Sequence, residues 1–227
     1  LGAWLDAQRF NGSGGSVVLL PGEHGLAGAI VGVGDPGDVY SYAHAPFALP
    51  EGTVWTLADA LAPEIETLLQ IGWGLGSYRF ARYRKPNRAP AQLATTPSAE
   101  VRDVVAASLR VRDWVNTPTE DMGPQQLEDA ARELATAHGA QIEVITGDAL
   151  LEQNFPSIHA VARASHRAPR SIVLRWGSAG QPPAALVGQG VCFDTCAADL
   201  QPGAGTPTPT QSTGRTPAPS RPAGGLL

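Results

Sequence analysis

Short apolar runs broken by turn residues open the chain. Ser16 to Leu20, Ala27 to Val33 and Thr53 to Leu57 are separated by Pro21-Gly22 and by Gly34-Asp35-Pro36-Gly37, the pattern of strands punctuated by turns. After Pro63 the period changes, because Ile65, Leu68, Leu69, Gly72 and Gly76 recur at helical spacing and predict a helix running toward Tyr78-Arg79-Phe80. Val101, Val104, Val105, Ser108, Arg112 and Val115 form a second helical face, ended by Asn116-Thr117-Pro118 since the residue before proline disfavours helical ψ. Gly123-Pro124 starts a third helix and His138-Gly139 ends it, with Leu127, Ala130, Ala131 and Leu134 as the expected buried stripe. Ile142 to Ile145, Ser171 to Arg175 and Ala184 to Val187 read as strands and Asp148 to Glu152 as a short helix. The alternation predicts an α/β protein with a largely parallel sheet.

Two stretches break the periodicity. Lys85 to Ser98 holds Pro86, Pro90 and Pro97 with few large apolar residues, the composition of a join between domains, which places one domain over residues 1–84, a linker over 85–98 and a second domain over 99–202. Residues 203–227 hold five Gly, five Pro and five Thr, no acid, and no large apolar residue before Leu226. Such a segment buries too little to offset the entropy of ordering it and is expected to be disordered.

Composition narrows the function classes. A net charge of −5 without a concentrated basic face argues against nucleic-acid binding, and the densest basic stretch, Arg79 to Arg88, reads as a solvated helix end and linker. No apolar run is long enough to span a bilayer and Leu1 to Phe10 lacks a signal-peptide pattern, so a soluble cytoplasmic protein with no membrane partner is expected. Cys192 and Cys196 make neither a disulfide framework nor a zinc ligand set, and read as reduced thiols. The chain opens at Leu1 and its one methionine is Met122, which marks a trimmed start or a fragment. Gly12-Ser13-Gly14-Gly15 precedes a strand, so it reads as a plain turn, since phosphate-cradling loops follow a strand and open a helix. The five histidines show no paired ligand spacing and read as surface or capping residues.

Chemistry enters through four strings in order: RDWVNTPTEDMGPQQLEDAA from Arg112, TGDALLEQNFPSIHAVARAS, RAPRSIVLRWG and LVGQGVCFDT. Together they resemble the leucyl aminopeptidase family of metallopeptidases (M17), and WGLGSYRFARYR resembles the end of that family's N-terminal domain. The resemblance implies an N-terminal macrodomain-like α/β domain, followed by the incomplete start of a catalytic α/β domain with a mixed sheet. It also implies a cytoplasmic hexamer that removes N-terminal amino acids from peptides. Two divalent metal ions (manganese, zinc or magnesium) are implied as cofactors, activating a water that attacks the scissile carbonyl.

The same resemblance assigns site positions. A family lysine and aspartate that ligate metal fall at Gln189 and Asp194, the glycine pair after them at Cys196 and Ala197, and a second lysine that aids catalysis electrostatically at Gln201. Asp194 is thus the single remaining family ligand, and no catalytic residue is intact. Glutamine carries no charge and cannot supply the field a lysine gives a developing oxyanion. The lysine-aspartate-methionine-glycine-glycine segment expected after Gly205 is replaced by the Gly/Pro/Thr stretch, as a reading-frame change would produce. The favoured expectation is an aminopeptidase-family chain that is catalytically silent and does not retain its metals. The alternative is a non-catalytic module that uses the N-terminal domain to bind a partner subunit or a nucleotide-like ligand.

Overall fold

The computed structural model describes residues 1–163, 165–178, 180–188 and 190. The chain packs as two units, Leu1–Asp113 and a second beginning at Trp114.

The first unit begins with α1 (Gly2–Ala7) and a hairpin of β1 (Val17–Gly22) and β2 (Gly25–Val31), paired antiparallel from Val17 opposite Val31 to Gly22 opposite Gly25. The ladder shifts register between Leu20 and Pro21, where proline has no N–H to give. Pro21-Gly22 therefore ends β1 rather than separating the strands, and Glu23-His24 makes the turn. The Gly12 to Gly15 run is a turn, as expected, with Ser16 N donating to Ser13 O.

A 3-10 turn (Val39–Tyr42) and α2 (Ala45–Ala48) follow, neither signalled by periodicity, then β3 (Val54–Trp55) and α3 (Pro63–Gly76). Proline at the first helical turn, Glu64 and Glu66 beside it, and the Ser77 hydroxyl on Trp73 O define the ends of α3. Its glycines let the 3-10 turn approach closely: a Cβ on Gly72 would lie 2.2 Å from Val39 O, and one on Gly76 would lie 2.0 Å from Ala43 O. Their helical spacing in the sequence is thus a packing requirement.

β4 (Gln92–Leu93) pairs parallel with β3, placing Val54 opposite Gln92 and Trp55 opposite Leu93. It lies inside the stretch 85–98 that was expected to be a linker. That stretch is part of the first unit: Ala91 is 1% exposed, its N–H donates to Pro46 O, and its carbonyl accepts from Trp73 Nε1 at 3.1 Å. Proline-rich composition misled here because three backbone hydrogen bonds suffice to seat a two-residue strand between its prolines. The core of the unit is Ala45, Leu49 and Ala91, with Val17, Ala29, Val31, Trp55 and Trp73 packed around them.

α4 (Ala99–Asn116) ends where Thr117-Pro118 predicted. Val101 is buried, whereas Val104 and Val115, expected on the same face, are 41% and 38% exposed. The covered positions are Val101, Val105, Ser108, Leu109, Arg112 and Trp114. Arg112 Nη1 donates to Leu75 O at 2.6 Å, which explains the basic residue on an otherwise apolar face.

The second unit carries α5 (Pro124–His138), β5 (Gln141–Thr146), α6 (Ala149–Glu152), α7 (Pro156–Val161) and β6 (Arg170–Arg175). Gln126 Oε1 accepts from Gly123 N at 3.0 Å at the start of α5, and Gly139 closes it at φ 64°, a left-handed conformation that glycine adopts without penalty. β5 and β6 pair antiparallel, Gln141 opposite Arg175 through Thr146 opposite Arg170. The expectation of a largely parallel sheet is corrected: β3 with β4 is the parallel pair among the described residues, and β1 with β2 and β5 with β6 run antiparallel. Alternating helices and strands do not fix strand direction, since α6 and α7 can return the chain either way. The α5 stripe is also corrected. Ala130, Ala131 and Leu134 are partly covered as expected, but Leu127 is 40% exposed, and the buried positions beside them are Glu128 and Ala135.

No helix among the described residues is long and apolar enough to cross a membrane. The stretch 203–227, expected to be disordered, lies outside the described residues.

Candidate functional site

Beyond β6 the chain passes Trp176 and reaches the stretch that leads to the assigned site positions. Ala184 to Val187 was expected to be a strand and is not: it pairs with no described residue, and Leu186 and Val187 are almost fully exposed. An apolar run alone does not make a strand without a ladder to join. Gln189, Asp194 and Gln201, with Cys192, Cys196 and Ala197, lie outside the described residues.

What the structure does bring together are the strings that lead up to these positions. Arg167, in the loop before β6, donates through Nη1 to Thr119 O and through Nη2 to Glu120 O and Glu120 Oε2, both at 3.0 Å. The guanidinium lies so close to Gly123 that a Cβ there would sit 2.7 Å from Nη1. Arg170 Nε donates to Glu128 Oε2 at 2.5 Å, Nη2 to Gln125 Oε1 and Nη1 to Ala168 O at 2.8 Å. Arg132 Nε completes the cluster on Glu128 Oε1 at 2.9 Å. Two arginines of RAPRSIVLRWG therefore clasp the backbone and side chains of TPTEDMGPQQLED, although the partners are distant in sequence, with a separation of 48 for Arg167 and Thr119.

Glu128 is 8% exposed and its carboxyl is held below the ordinary range, first by the hydrogen bond from Arg132, against the opposing effect of burial, and then by Arg170. Both oxygens are held by arginines, so this carboxylate ties α5 to β6. Sequence reading missed Glu128, Arg167 and Arg170. Glu128 sits where the helical phase of α5 faces the sheet, but a carboxylate next to Leu127 reads as solvent-facing, and the RAPR cations that neutralise it are distant in sequence.

His159 Nε2 lies 3.1 Å from Asp148 Oδ1, with Asp148 largely exposed. Among the described residues no group of three or more His, Cys, Asp or Glu side chains could hold a metal ion, so they supply no dinuclear centre.

Residues 2–96 match the M17 aminopeptidase N-terminal domain, and residues 110–213 match the catalytic domain of the cytosol aminopeptidase family. A probable cytosol aminopeptidase of Rhodococcus opacus is 32% identical over 163 residues, covering 63% of this chain and 32% of the relative. The crystal structure of the cytosol aminopeptidase from Coxiella burnetii superposes with a TM-score of 0.77 at 35% identity, covering 85% of this chain and 43% of that one. The bottromycin maturation enzyme BotP, solved in complex with Mn, gives a TM-score of 0.70 at 29% identity over 94% of this chain and 50% of that one. The chain thus spans about a third to a half of the length of the relatives it matches. With both domains matched in order and the fold shared, the chain belongs to the cytosol aminopeptidase (M17) family.

Proposed function

We propose that this chain is a catalytically silent member of a lineage whose activity is metal-dependent release of N-terminal amino acids from peptides. The observation that carries the reading is the pair of glutamines, Gln189 and Gln201, at the two positions where the resemblance puts lysines, inside strings that otherwise keep the family's order. Two dications packed together repel strongly unless anionic oxygens surround them. Within the matched strings Asp194 keeps a family carboxylate, and neither glutamine brings a charge to it. The Mn in the BotP complex supports divalent metals as the cofactors of active relatives, with zinc or magnesium as the other candidates. The relatives' name supports a cytosolic location, and a hexamer acting on peptides is the assembly and substrate class this reading assigns to the family.

The test is turnover of a leucine-linked chromogenic amide by the 227-residue polypeptide with added Mn2+ or Zn2+. No rate above background is expected. Metal-stimulated turnover that copurifies with the chain and disappears in Asp194→Ala would overturn the reading. Translating the other frames of the coding DNA past the Gly205 codon gives a second check: the lysine-aspartate-methionine-glycine-glycine segment should reappear there.

A further inference from the structure

In a chain of net charge −5, residues 79 to 88 carry five cations, Arg79, Arg82, Arg84, Lys85 and Arg88, and no acid. The structure draws most of them to one place. Arg79, Arg84, Lys85 and Arg88, with Phe47 and Phe80, line an open groove of about 460 Å3 in the first unit, and no carboxylate lines it. That volume lies in the range of small-molecule sites, and is too small for a folded partner.

The four cations are not equivalent. Arg88 is committed to the main chain, donating to Phe47 O at 2.7 Å and to Leu49 O. Arg79 lies over the Phe47 ring with its guanidinium carbon 3.4 Å from the centroid, and donates to Tyr78 O. These two are held in fixed geometry and contribute positive potential without a counter-ion. Arg84 and Lys85 make no hydrogen bond or ion pair with any described residue, and both are exposed. A solvated helix end would place such side chains apart in water. Here two tethered cations and two free ones share one concave wall, beside an aromatic pair, Phe80 and Tyr83, packed edge to face at 5.7 Å.

We propose that this groove is a binding site for a small phosphate-bearing anion. The arginine fork and the lysine ammonium match phosphate oxygens in geometry and charge, and Arg79 and Arg88 strengthen the field without needing to move. The site is independent of peptidase chemistry and stands whether or not the chain turns over peptides.

The experiment is isothermal titration of the 227-residue chain with inorganic pyrophosphate and, separately, with ATP, at low and moderate salt. The variants are Arg84→Gln/Lys85→Gln and a charge-matched control, Arg110→Ala/Arg163→Ala, which removes two exposed cations elsewhere. Saturable one-to-one binding that weakens at least tenfold in the groove variant and stays within twofold in the control is expected. ATP binding tighter than pyrophosphate would place a ring against Phe80, and equal binding would restrict the site to the phosphates. Either result supports it only with the variant contrast. Three results overturn the proposal: no saturable binding at millimolar ligand, equal weakening in groove and control variants, or tight binding of a single-stranded oligonucleotide with none of pyrophosphate. Circular dichroism of both variants separates loss of the site from loss of the fold.

Discussion

In the first unit the most enclosed side chains are small or aliphatic. Ala45, Leu49 and Ala91 are 3%, 2% and 1% exposed, and backbone groups meet polar atoms beside them, as where Trp73 meets Ala91 O and Ala91 N meets Pro46 O. In the second unit Leu150, Ala135 and Ile145 are enclosed as tightly, at 0%, 4% and 7%, and a carboxylate is enclosed with them. Glu128 is buried on the face of α5 that meets β6 and is neutralised by Arg132 and Arg170, while Leu174, Trp176, Leu186 and Val187 stand exposed. Both units thus take order from apolar burial, which does not itself titrate. The second takes a larger share from ion pairs that specify one register between distant strings but contribute little net stability.

The hardest break in that contrast is Leu49→Ala. Removing a side chain that is 2% exposed costs its transfer energy plus a cavity, about 3 kcal/mol. Because Trp55 and Trp73 pack on the cluster, urea unfolding followed by tryptophan fluorescence should show the midpoint of the first unit falling sharply. A loss under about 1 kcal/mol would mean the core lies elsewhere.

Next comes Gly76→Ala, which forces a methyl to within 2.0 Å of a backbone carbonyl, Ala43 O. The rigid neighbour makes this an overpacking defect of about 2 kcal/mol. Gly2→Ala, where a Cβ meets nothing within 4 Å, is the matched control and should not destabilise. Equal behaviour of the two variants would remove the case for close approach of α3 to the 3-10 turn.

A smaller effect, with a pH signature, is expected at Glu128. Its folded-state carboxyl is held below the ordinary 4.5, so the stabilisation it gives is complete above that value and is lost as pH falls through the lower folded value. Glu128→Gln should cost about 1 to 2 kcal/mol at pH 7, the scale of hydrogen bonds to a charged group. It should also flatten the acid limb of the second unit's stability between about pH 5 and 3, the range where carboxylates titrate. Urea midpoints measured across that range check both, and an unchanged acid limb would show that the cluster does not report on folding.

Much of this architecture is legible in the amino-acid sequence. The Pro63 and Gly139 boundaries, the strand runs of β1 and β2 and the ending of α4 at Asn116 all come from local stereochemistry, whereas the antiparallel pairing of β1 with β2 was not read. What is illegible is set by partners far along the chain. Ala91 is buried because Pro46 and Trp73 meet it, Glu128 because Arg170 does, and Ala184 to Val187 pairs with no described strand. The assigned site positions are legible only through resemblance: nothing in the periodicity around Gln189, Asp194 or Gln201 marks a metal centre. The basic groove shows the converse case, since its cations are adjacent in sequence but Phe47, which orients two of them, is not.

The smallest predicted effect sharpens the comparison most directly, because it tests the phase of α5 without touching a charge. Leu127 was expected on the buried stripe and is 40% exposed, whereas its neighbour Glu128 faces the sheet. Leucine and glutamine have nearly the same helix propensity, so Leu127→Gln reports on burial alone. With the observed phase the change should alter stability by less than about 0.5 kcal/mol, as surface substitutions usually do. Were the apolar pattern the true guide and Leu127 buried, losing its side chain from the core would cost about 2 kcal/mol. A urea midpoint for the second unit, with helicity followed by far-ultraviolet circular dichroism, distinguishes these outcomes. A large loss would mean that Leu127 is covered along with Ala131 and Leu134, one step of about 100° around the helix from Glu128. The covered face would then reach from Leu127 to Glu128, so this one near-neutral variant measures how wide a face α5 sets against the sheet.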